Sequence, residues 1–461
     1  MTDSTKERIR QRLEQILVAQ TQIPKTISDI ERIALAIGDE LKQAAVEEVG
    51  KEAQENQDDV SDSQEQRTGI ATKLPCPHCQ KNSWFKGLRD KTVQTLAGVL
   101  TFSRAYYHCH RCQKGFCPLD SALDVQKLNS TPDFQQVVAK LCTKMPYEMA
   151  METLKEFTSI NFSGRSAQRL CTQKVAPLVQ AYMTQRQDQN LPLAYLSPEQ
   201  LPSDLPEPQV LYIEADGVHT PMRDGSWREM KVGVVRAEFR DGREQMASRY
   251  LCTLDSASQF AKQWEALALS CGSLKAECLN VLGDGAVWIW NLASACFPRA
   301  QQILDFYHAS EYVVAVAQDI FGESKQSGES KQSGESKQAW LTARLSEMKR
   351  SLWVCFWQAI ETLARPDLES ISRLKTYFGN NASRMDYGEY LRRRLCIGSG
   401  LVESSCKRVV SQRLKGAGMR WSVPGGEVIA RLRGFVLGNE WDEFVTFWNG
   451  RTFQPATSPL L

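Results

Sequence analysis

The sequence predicts a multidomain α/β protein, and three observations lead to that prediction. The chain has 461 residues, enough for about three domains. Residues 209–309 alternate strand patterns with amphipathic helix patterns in the order β-β-β-α-β-α-β, which indicates a mixed sheet. Two C-x-x-C pairs between residues 76 and 112 indicate a separate, metal-stabilised module.

The composition is that of an ordinary soluble protein. No apolar run approaches the ~18–20 residues of a membrane span, and the charged N-terminus lacks the apolar core of a signal peptide. We therefore expect no membrane association and a cytoplasmic location. The net charge of +2 is unevenly distributed, because residues 1–75 hold 10 basic and 15 acidic residues, whereas residues 391–420 hold eight basic residues and one glutamate. A basic stretch suits a polyanion such as DNA, although a solvated helix face has the same composition.

The predicted segments follow one another along the chain. They are N-terminal helices with an acidic linker (1–70), a cysteine module (74–120), a helical region (121–190), a proline-rich linker (191–208), the first part of the α/β core (209–320), a helical insertion (321–395), the closing part of the core (396–440) and a tail (441–461). The linker itself is expected over 51–70. Residues 322–338 repeat GESKQS almost three times without an apolar residue, and this predicts a disordered surface loop.

Four cysteines form the strongest motif. Cys76 and Cys79 make one knuckle, and Cys109 and Cys112 make the second. Paired knuckles present four thiolates to one tetrahedral Zn²⁺, and the strand-turn-strand pattern between them is the layout of a zinc ribbon. We expect a structural zinc ion. Alternative ligands close by are Cys117, His78, His108 and His110, of which Cys117 is better explained as a buried thiol. Bases available for DNA or partner contact are Lys81, Lys86, Arg89, Lys91, Arg104 and Arg111.

The helical region at 121–190 contains an apolar helix, a short turn and a second helix starting at Ser163–Gly164. Arg165, Arg169 and Lys174 would lie on that second helix. The pattern is compatible with a DNA-binding helix-turn-helix, and equally with a helical hairpin that carries surface bases.

Two Asp-Gly pairs follow apolar strands, at Asp216 and at Asp284. If the two strands are neighbours, both carboxylates project from adjacent strand ends, where α/β sheets place their sites. Paired carboxylates repel each other, and this favours a divalent metal ion such as Mg²⁺ between them. A turn is the ordinary explanation of each pair. Glu403 is the candidate third acid, because it is the only acid in the basic stretch; its alternative role is a salt bridge to Lys407.

Five pieces of the sequence resemble the ISKra family of bacterial insertion-sequence transposases. They are GVLTFSRAYYHCHRCQKGFCPLD, IEADGVH, LGDGA, LDFYH and IGSGLVESSCKRVVSQRLKGAGMRW, and the resemblance spans roughly 74–440. It implies an RNase H-like catalytic fold with a DDE triad on Asp216, Asp284 and Glu403. Asp305 and His308 in LDFYH would lie at the edge of the site, although a packed position is the ordinary explanation of a lone histidine. The GESKQS repeat departs from the family pattern.

The resemblance implies two-metal chemistry with Mg²⁺ or Mn²⁺, in which the enzyme cuts DNA and joins the 3′-OH to a target. The DNA partners would be terminal inverted repeats and target duplex, and synapsis of two ends predicts a homodimer or higher oligomer in the bacterial nucleoid. The bases expected to hold phosphates are Arg392, Arg393, Arg394, Lys407, Arg408, Arg413, Lys415 and Arg420. Trp421 would stack on a base or lie in the core. The rival functions are a non-catalytic DNA-binding protein and an RNase H-like nuclease or resolvase.

Overall fold

The protein is a mixed α/β protein of two compact units. The computed structural model describes residues 1–19, 27–58, 70–122, 129–158, 160–239, 248–322, 336–363 and 368–452. One unit comprises Met1–Leu170 with Val445–Leu461, and the other comprises Cys171–Phe444. The multidomain α/β class predicted from the sequence is therefore confirmed. No helix in the described parts of the chain is long and apolar enough to cross a membrane.

The first unit combines helices with a small antiparallel sheet. Its elements are α1 (Asp3–Ala19), α2 (Ile27–Asp58), β1 (Lys73–Pro75), β2 (Asn82–Thr95), β3 (Gly98–His108), β4 (Gly115–Phe116), α3 (Pro118–Ala122), α4 (Pro132–Lys144), α5 (Tyr147–Phe157) and α6 (Gly164–Leu170). The linker expected over 51–70 is wrong for residues 51–58, which continue α2. That stretch, KEAQENQD, is rich in helix formers and has no proline or glycine. Residues 59–69 lie outside the described part.

The small sheet has the strand order β1-β2-β3-β4, and every neighbouring pair is antiparallel. Its long hairpin turns at Leu96–Ala97, and Gly98, the first residue of β3, has φ +122°, a conformation that other residues rarely adopt. The hairpin holds the two cysteine knuckles, one before β2 and one after β3.

The second unit is built on a five-stranded sheet. Its elements are a π-helical turn (Cys171–Val175), α7 (Ala176–Asn190), β5 (Val210–Pro221), β6 (Trp227–Glu238), β7 (Arg249–Thr253), α8 (Ala257–Ser270), β8 (Cys278–Gly283), α9 (Val287–Cys296), β9 (Gln301–Leu304), α10 (Phe306–Phe321), α11 (Lys337–Lys349), α12 (Trp353–Leu363), α13 (Glu369–Asn381), α14 (Tyr387–Arg392), α15 (Gly400–Ser405), a second π-helical segment (Cys406–Ser411), α16 (Gln412–Leu414) and α17 (Val423–Leu437).

The strand order in this sheet is β7-β6-β5-β8-β9. The three strands β5, β6 and β7 pair antiparallel, whereas β8 and β9 run parallel to β5. The central strands are apolar and buried, as expected for strands covered on both faces. On one face Gly233 of β6 gives space to Phe260 and Trp264 of α8, since an added Cβ would lie 2.8 Å from the Trp264 ring.

Three local predictions are corrected. The strand expected over QQILDFYHA ends at Leu304, because Asp305 caps α10 and its side chain accepts hydrogen bonds from the Tyr307 and His308 amides. The end of the GESKQS repeat is helical rather than loop, since Ser336 caps α11 by accepting a hydrogen bond from the Ala339 N–H; residues 323–335 lie outside the described part. The tail expected at 441–461 begins as a helix, α18 (Trp441–Thr452), in which Trp441, Phe444 and Trp448 are buried.

Candidate functional site

The register of β5 and β8 brings Asp216 and Asp284 to the same level of the sheet. The two strands pair in parallel up to Glu214 opposite Leu282. Asp216 and Asp284 each lie two residues further on, so the register points both at one edge of adjacent strands, which run about 4.8 Å apart. Asp216 and Gly217 do not form a turn, since both continue β5 and pair with β6, as the predicted strand QVLYIEADGV required. The turn at Asp284–Gly285 is present, with Gly285 at φ +98°.

Asp216 is held by two hydrogen bonds. Its Oδ1 accepts the Gly217 N–H at 2.6 Å, and its Oδ2 accepts the Cys406 thiol at 3.3 Å. Burial raises the pKa of Asp216 above its ordinary value, and the nearby Asp284 and Glu229 carboxylates add to that rise. Asp216 is therefore a carboxylate that gains from a neighbouring cation.

Glu403 lies on α15, and Cys406, three residues later, is the first residue of the π-helical segment that continues this helix. Its side chain is exposed, whereas Val402 and Ser405 on the same helix are buried. Partial desolvation raises the pKa of Glu403, and the nearby Asp305 and Asp216 carboxylates raise it further. The contact between Cys406 and Asp216 thus fastens the helix of Glu403 to the central strand.

Glu214 is an acid of this site that the sequence reasoning missed. It lies two residues before Asp216, on the same face of β5, and is 1% exposed. Its Oε2 accepts the Val402 N–H at 2.8 Å, at the first turn of α15, where a negative charge is favourable. Burial raises the pKa of Glu214 to about 7. An acid within the apolar run LYIEAD is the signal that could have identified it.

Asp305 connects three segments at the same edge of the sheet. Its backbone N–H donates to Gly283 O at 2.9 Å, at the end of β8. Its Oδ1 accepts the Tyr307 N–H at 2.6 Å, and its Oδ2 accepts the Ser399 N–H at 3.0 Å as well as the Ser399 hydroxyl. With 0% exposure and both carboxylate oxygens hydrogen-bonded, Asp305 holds together the chain segments at this edge of the sheet.

The helical insertion reaches the site through Tyr377 of α13. The Tyr377 hydroxyl donates to Asp284 O at 2.6 Å, and its ring stacks on Tyr312 with 4.0 Å between centroids. His308 lies 6.0 Å from the Tyr377 ring and 3.6 Å from Glu311. His308 and Tyr312 line an open cavity of 440 Å³, which Glu311 and Arg373 also line. The edge position expected for His308 stays a prediction.

The three predicted acids are neighbours without forming a compact ligand cluster. Among the described residues, one group of three or more His, Cys, Asp or Glu side chains has all its ligand atoms within 4.8 Å of one another, and it is the four cysteines. Oxygens that share one Mg²⁺ at about 2.1 Å lie no more than about 4.2 Å apart. Asp216, Asp284 and Glu403 would therefore have to approach one another to share an ion.

The four cysteine thiols are close enough to hold a metal ion such as zinc. Sγ of Cys76 lies 3.6 Å from Sγ of Cys112, and Sγ of Cys79 lies 3.5 Å from Sγ of Cys109. A tetrahedral site with Zn–S bonds of about 2.3 Å requires S···S distances of about 3.8 Å, so the geometry fits. Backbone N–H groups of the second knuckle lower the pKa of the Cys109 thiol to about 7, which favours the thiolate. Cys117 is buried and lies outside the cluster.

The predicted DNA-binding bases differ in exposure. Those that are exposed are Arg165, Arg169, Arg392, Arg393, Arg394, Lys407, Arg408, Lys415 and Arg420. Arg413 is a correction: it is 2% exposed and its guanidinium stacks over Trp421 at 5.0 Å, so it belongs to the core. Trp421 is also buried, and its indole N–H donates to Leu414 O at 2.9 Å. Arg392 pairs with Glu389 at 2.6 Å.

The fold and the site define a mixed α/β protein with a four-cysteine metal-type cluster in one unit and a carboxylate-lined sheet edge in the other. The chain belongs to the uncharacterised protein family UPF0236, whose model matches residues 77–444. It is similar to a UPF0236 protein of Caldanaerobacter subterraneus subsp. tengcongensis, with 22% identity over 370 residues, which are 77% of this chain and 70% of that relative. The name of that relative combines eleven TTE designations for one protein.

Proposed function

We propose that this protein is a DDE-type DNA transposase of a bacterial insertion sequence, with an RNase H-like catalytic core. One arrangement carries the proposal. Asp216 on the central strand and Asp284 at the end of the neighbouring parallel strand are in register, and the Asp216–Cys406 contact brings the helix of Glu403 to that strand.

The sheet supports the same proposal. Its order β7-β6-β5-β8-β9, with three antiparallel strands followed by two parallel ones, is a mixed sheet of the kind expected of the RNase H-like core that the resemblance implies. A parallel sheet binds ligands beyond the carboxyl ends of its strands, and β8 ends at Gly283, directly before Asp284. The helical insertion, which contains α11–α14, lies between α10 and the helix of Glu403 and contributes Tyr377 to the site.

The acids fit divalent metal ions by their chemistry. Asp216, Asp284 and Glu403 would hold two Mg²⁺ or Mn²⁺ ions, which would supply charge stabilisation at the scissile phosphate. Desolvation raises the pKa values of Asp216 and Glu403, and a bound cation would stabilise both negative charges. In this proposal, Glu214 and Asp305 keep the helix and the loops that present the three ligands in place.

The relative's name supports a mobile element. Eleven designations under one protein name are what a repeated element produces in a single genome, and an insertion sequence is such an element. The cysteine cluster would bind a structural Zn²⁺, since all four ligand positions are thiols and none is open. The exposed bases around Glu403 would hold DNA phosphates. Because two element ends must be joined, the active form would be a homodimer or larger.

A plasmid assay tests the proposal. The substrate carries the gene with its flanking genomic DNA on both sides, and the purified full chain is added with Mg²⁺ or Mn²⁺. We expect cuts at the element ends that leave 3′-OH groups, mapped by end sequencing. Asp216→Asn, Asp284→Asn and Glu403→Gln should each lower cutting by at least about 100-fold while DNA binding is retained, by analogy with the loss of a charge-stabilising group. Glu361→Gln, an exposed glutamate on α12, is the matched control.

A non-catalytic DNA-binding protein is the second candidate. It is favoured by the distances between the carboxylates of the three acids, which are too long for all three to bind one ion. The same assay separates the two. Binding of flanking DNA with no cut in either metal would leave the second candidate in place, and equal cutting by all three variants and the wild type would exclude the DDE assignment.

A further inference from the structure

The hairpin between β5 and β6 has a well-defined tip. The Met222 N–H donates to Ser226 O at 2.9 Å, and Gly225 has φ +84° in the turn. The Asp224 carboxylate accepts hydrogen bonds from the Ser226 amide and hydroxyl at 3.0 and 2.6 Å. Side chains at this tip are therefore presented from a fixed backbone.

Backbone hydrogen bonds join this tip to the segment that follows α16. The Arg223 N–H donates to Trp421 O at 2.9 Å, and the Trp421 N–H donates to Pro221 O at 3.1 Å. Met222 and Trp421 form a parallel β-bridge and are both buried. The hairpin tip and residues 415–421 thus form one continuous surface, which we call the tip surface.

The exposed side chains of the tip surface are basic and aromatic. Arg223, Lys415 and Arg420 are exposed, and Trp227 is 58% exposed. The Lys415 ammonium lies 5.9 Å from the centre of the Trp227 ring, where the ring attracts a cation. The acid at the tip, Asp224, has Arg228 at 3.7 Å to offset its charge. Three positive charges remain on the surface.

We propose that the tip surface binds the phosphate backbone of double-stranded DNA next to the carboxylate site. This inference rests on the proposed function for the identity of its ligand, and it adds Arg223 and Trp227 to the residues expected to contact DNA. Charge complementarity selects the ligand, because three exposed arginine and lysine side chains on a fixed backbone favour a polyanion such as the phosphate backbone of DNA.

The position of the tip surface defines which DNA it contacts. Asp216 and Pro221 are five residues apart on β5, so the tip lies about 17 Å along the strand from the carboxylate site. B-DNA rises about 3.4 Å per base pair along one strand. A duplex that ran along β5 would span this distance in about five base pairs.

Binding of DNA as a function of salt tests this inference without any cutting step. The probe is a labelled 40-base-pair duplex of random sequence, and anisotropy is measured with the full chain between about 50 and 200 mM salt. Each of Arg223→Gln, Lys415→Gln and Arg420→Gln should reduce the slope of log K against log salt by about 1. Trp227→Ala should weaken binding about two- to five-fold, because it removes the ring beneath Lys415. Lys262→Gln, an exposed lysine on α8, is the matched control.

The outcomes distinguish this inference from the proposed function. Wild-type binding with an unchanged slope in all three charge variants would overturn the tip surface alone. If the wild type binds no duplex, the tip surface is overturned, and so is DNA as its ligand. Reduced slopes support the tip surface even if the plasmid assay yields no cut. Thermal midpoints equal to that of the wild type show that each variant is folded.

Discussion

Asp305 holds Ser399 through two hydrogen bonds, one from the Ser399 backbone N–H at 3.0 Å and one from its hydroxyl. The two residues are 94 positions apart in the sequence, and the helical insertion lies between them. Since Ser399 immediately precedes α15, this pair fixes where the helix of Glu403 begins. The candidate site therefore depends on a buried contact made across the whole insertion.

The first prediction concerns that contact. Asp305→Ala removes the cap of α10 and leaves the Ser399 amide and hydroxyl without their acceptor in a buried position. We expect the free energy of unfolding to fall by about 3 kcal/mol, since an unsatisfied buried group costs about 1–3 kcal/mol and a lost cap about 1. Urea unfolding measures it. Asp319→Ala on the exposed face of the same helix is the control, with an expected change below about 0.5 kcal/mol.

The second prediction is a pH dependence at Glu214. Its folded pKa of about 7 exceeds the ordinary 4.5, so the folded state binds the proton more tightly than the unfolded state. The stability that this group contributes is present below about pH 4.5 and is lost as pH rises through 7, by at most about 3 kcal/mol. Glu214→Gln keeps an acceptor for the Val402 N–H and cannot ionise. It should raise the thermal midpoint at pH 8 and much less at pH 5; an equal shift at both values would contradict the assignment.

The third prediction concerns the cysteine cluster. Purified protein should contain one zinc ion per chain by elemental analysis. Cys109→Ser should lose it and lower the thermal midpoint of the unit that contains the ribbon, because so small a sheet depends on its metal for stability. Cys117→Ser should keep the ion, since this buried thiol lies outside the cluster. Zinc retained at full occupancy in Cys109→Ser would contradict a four-thiolate site.

The fourth prediction tests the link between the insertion and Asp284. Tyr377→Phe removes one hydroxyl and keeps the stack on Tyr312. We expect the free energy of unfolding to fall by about 1 kcal/mol, and plasmid cutting to fall roughly five-fold or more if Asp284 is positioned by this bond. Burial raises the pKa of Tyr377, so its hydroxyl stays a donor and the effect should not vary between pH 6 and about pH 9. Tyr312→Phe, on the other ring of the stack, is the control; an equal loss of cutting there would contradict a specific role for the Tyr377 hydroxyl.

Local patterns determined much of this protein. The C-x-x-C spacing predicted four thiols around one point, and alternation in 209–309 predicted the order of strands and helices around the two aspartates. Helix caps explain where such reasoning failed. DFYHA reads as a continued strand, but Asp305 satisfies the first amides of α10 and starts a helix there.

Only the tertiary structure decided which polar groups are buried together. The basic stretch predicts a surface position for Arg413, but its guanidinium packs on the Trp421 ring in the core. The sequence does not distinguish Glu214 from other acids, but its carboxylate accepts a hydrogen bond from the Val402 N–H, 188 residues away in the first turn of α15. Periodicity reports on neighbours within one element, whereas burial and pairing depend on contacts between elements far apart in the chain. The sequence therefore predicted Asp216, Asp284 and Glu403 but missed Glu214, because the packing of α10, α13 and α15 against the sheet edge determines which acids are buried there.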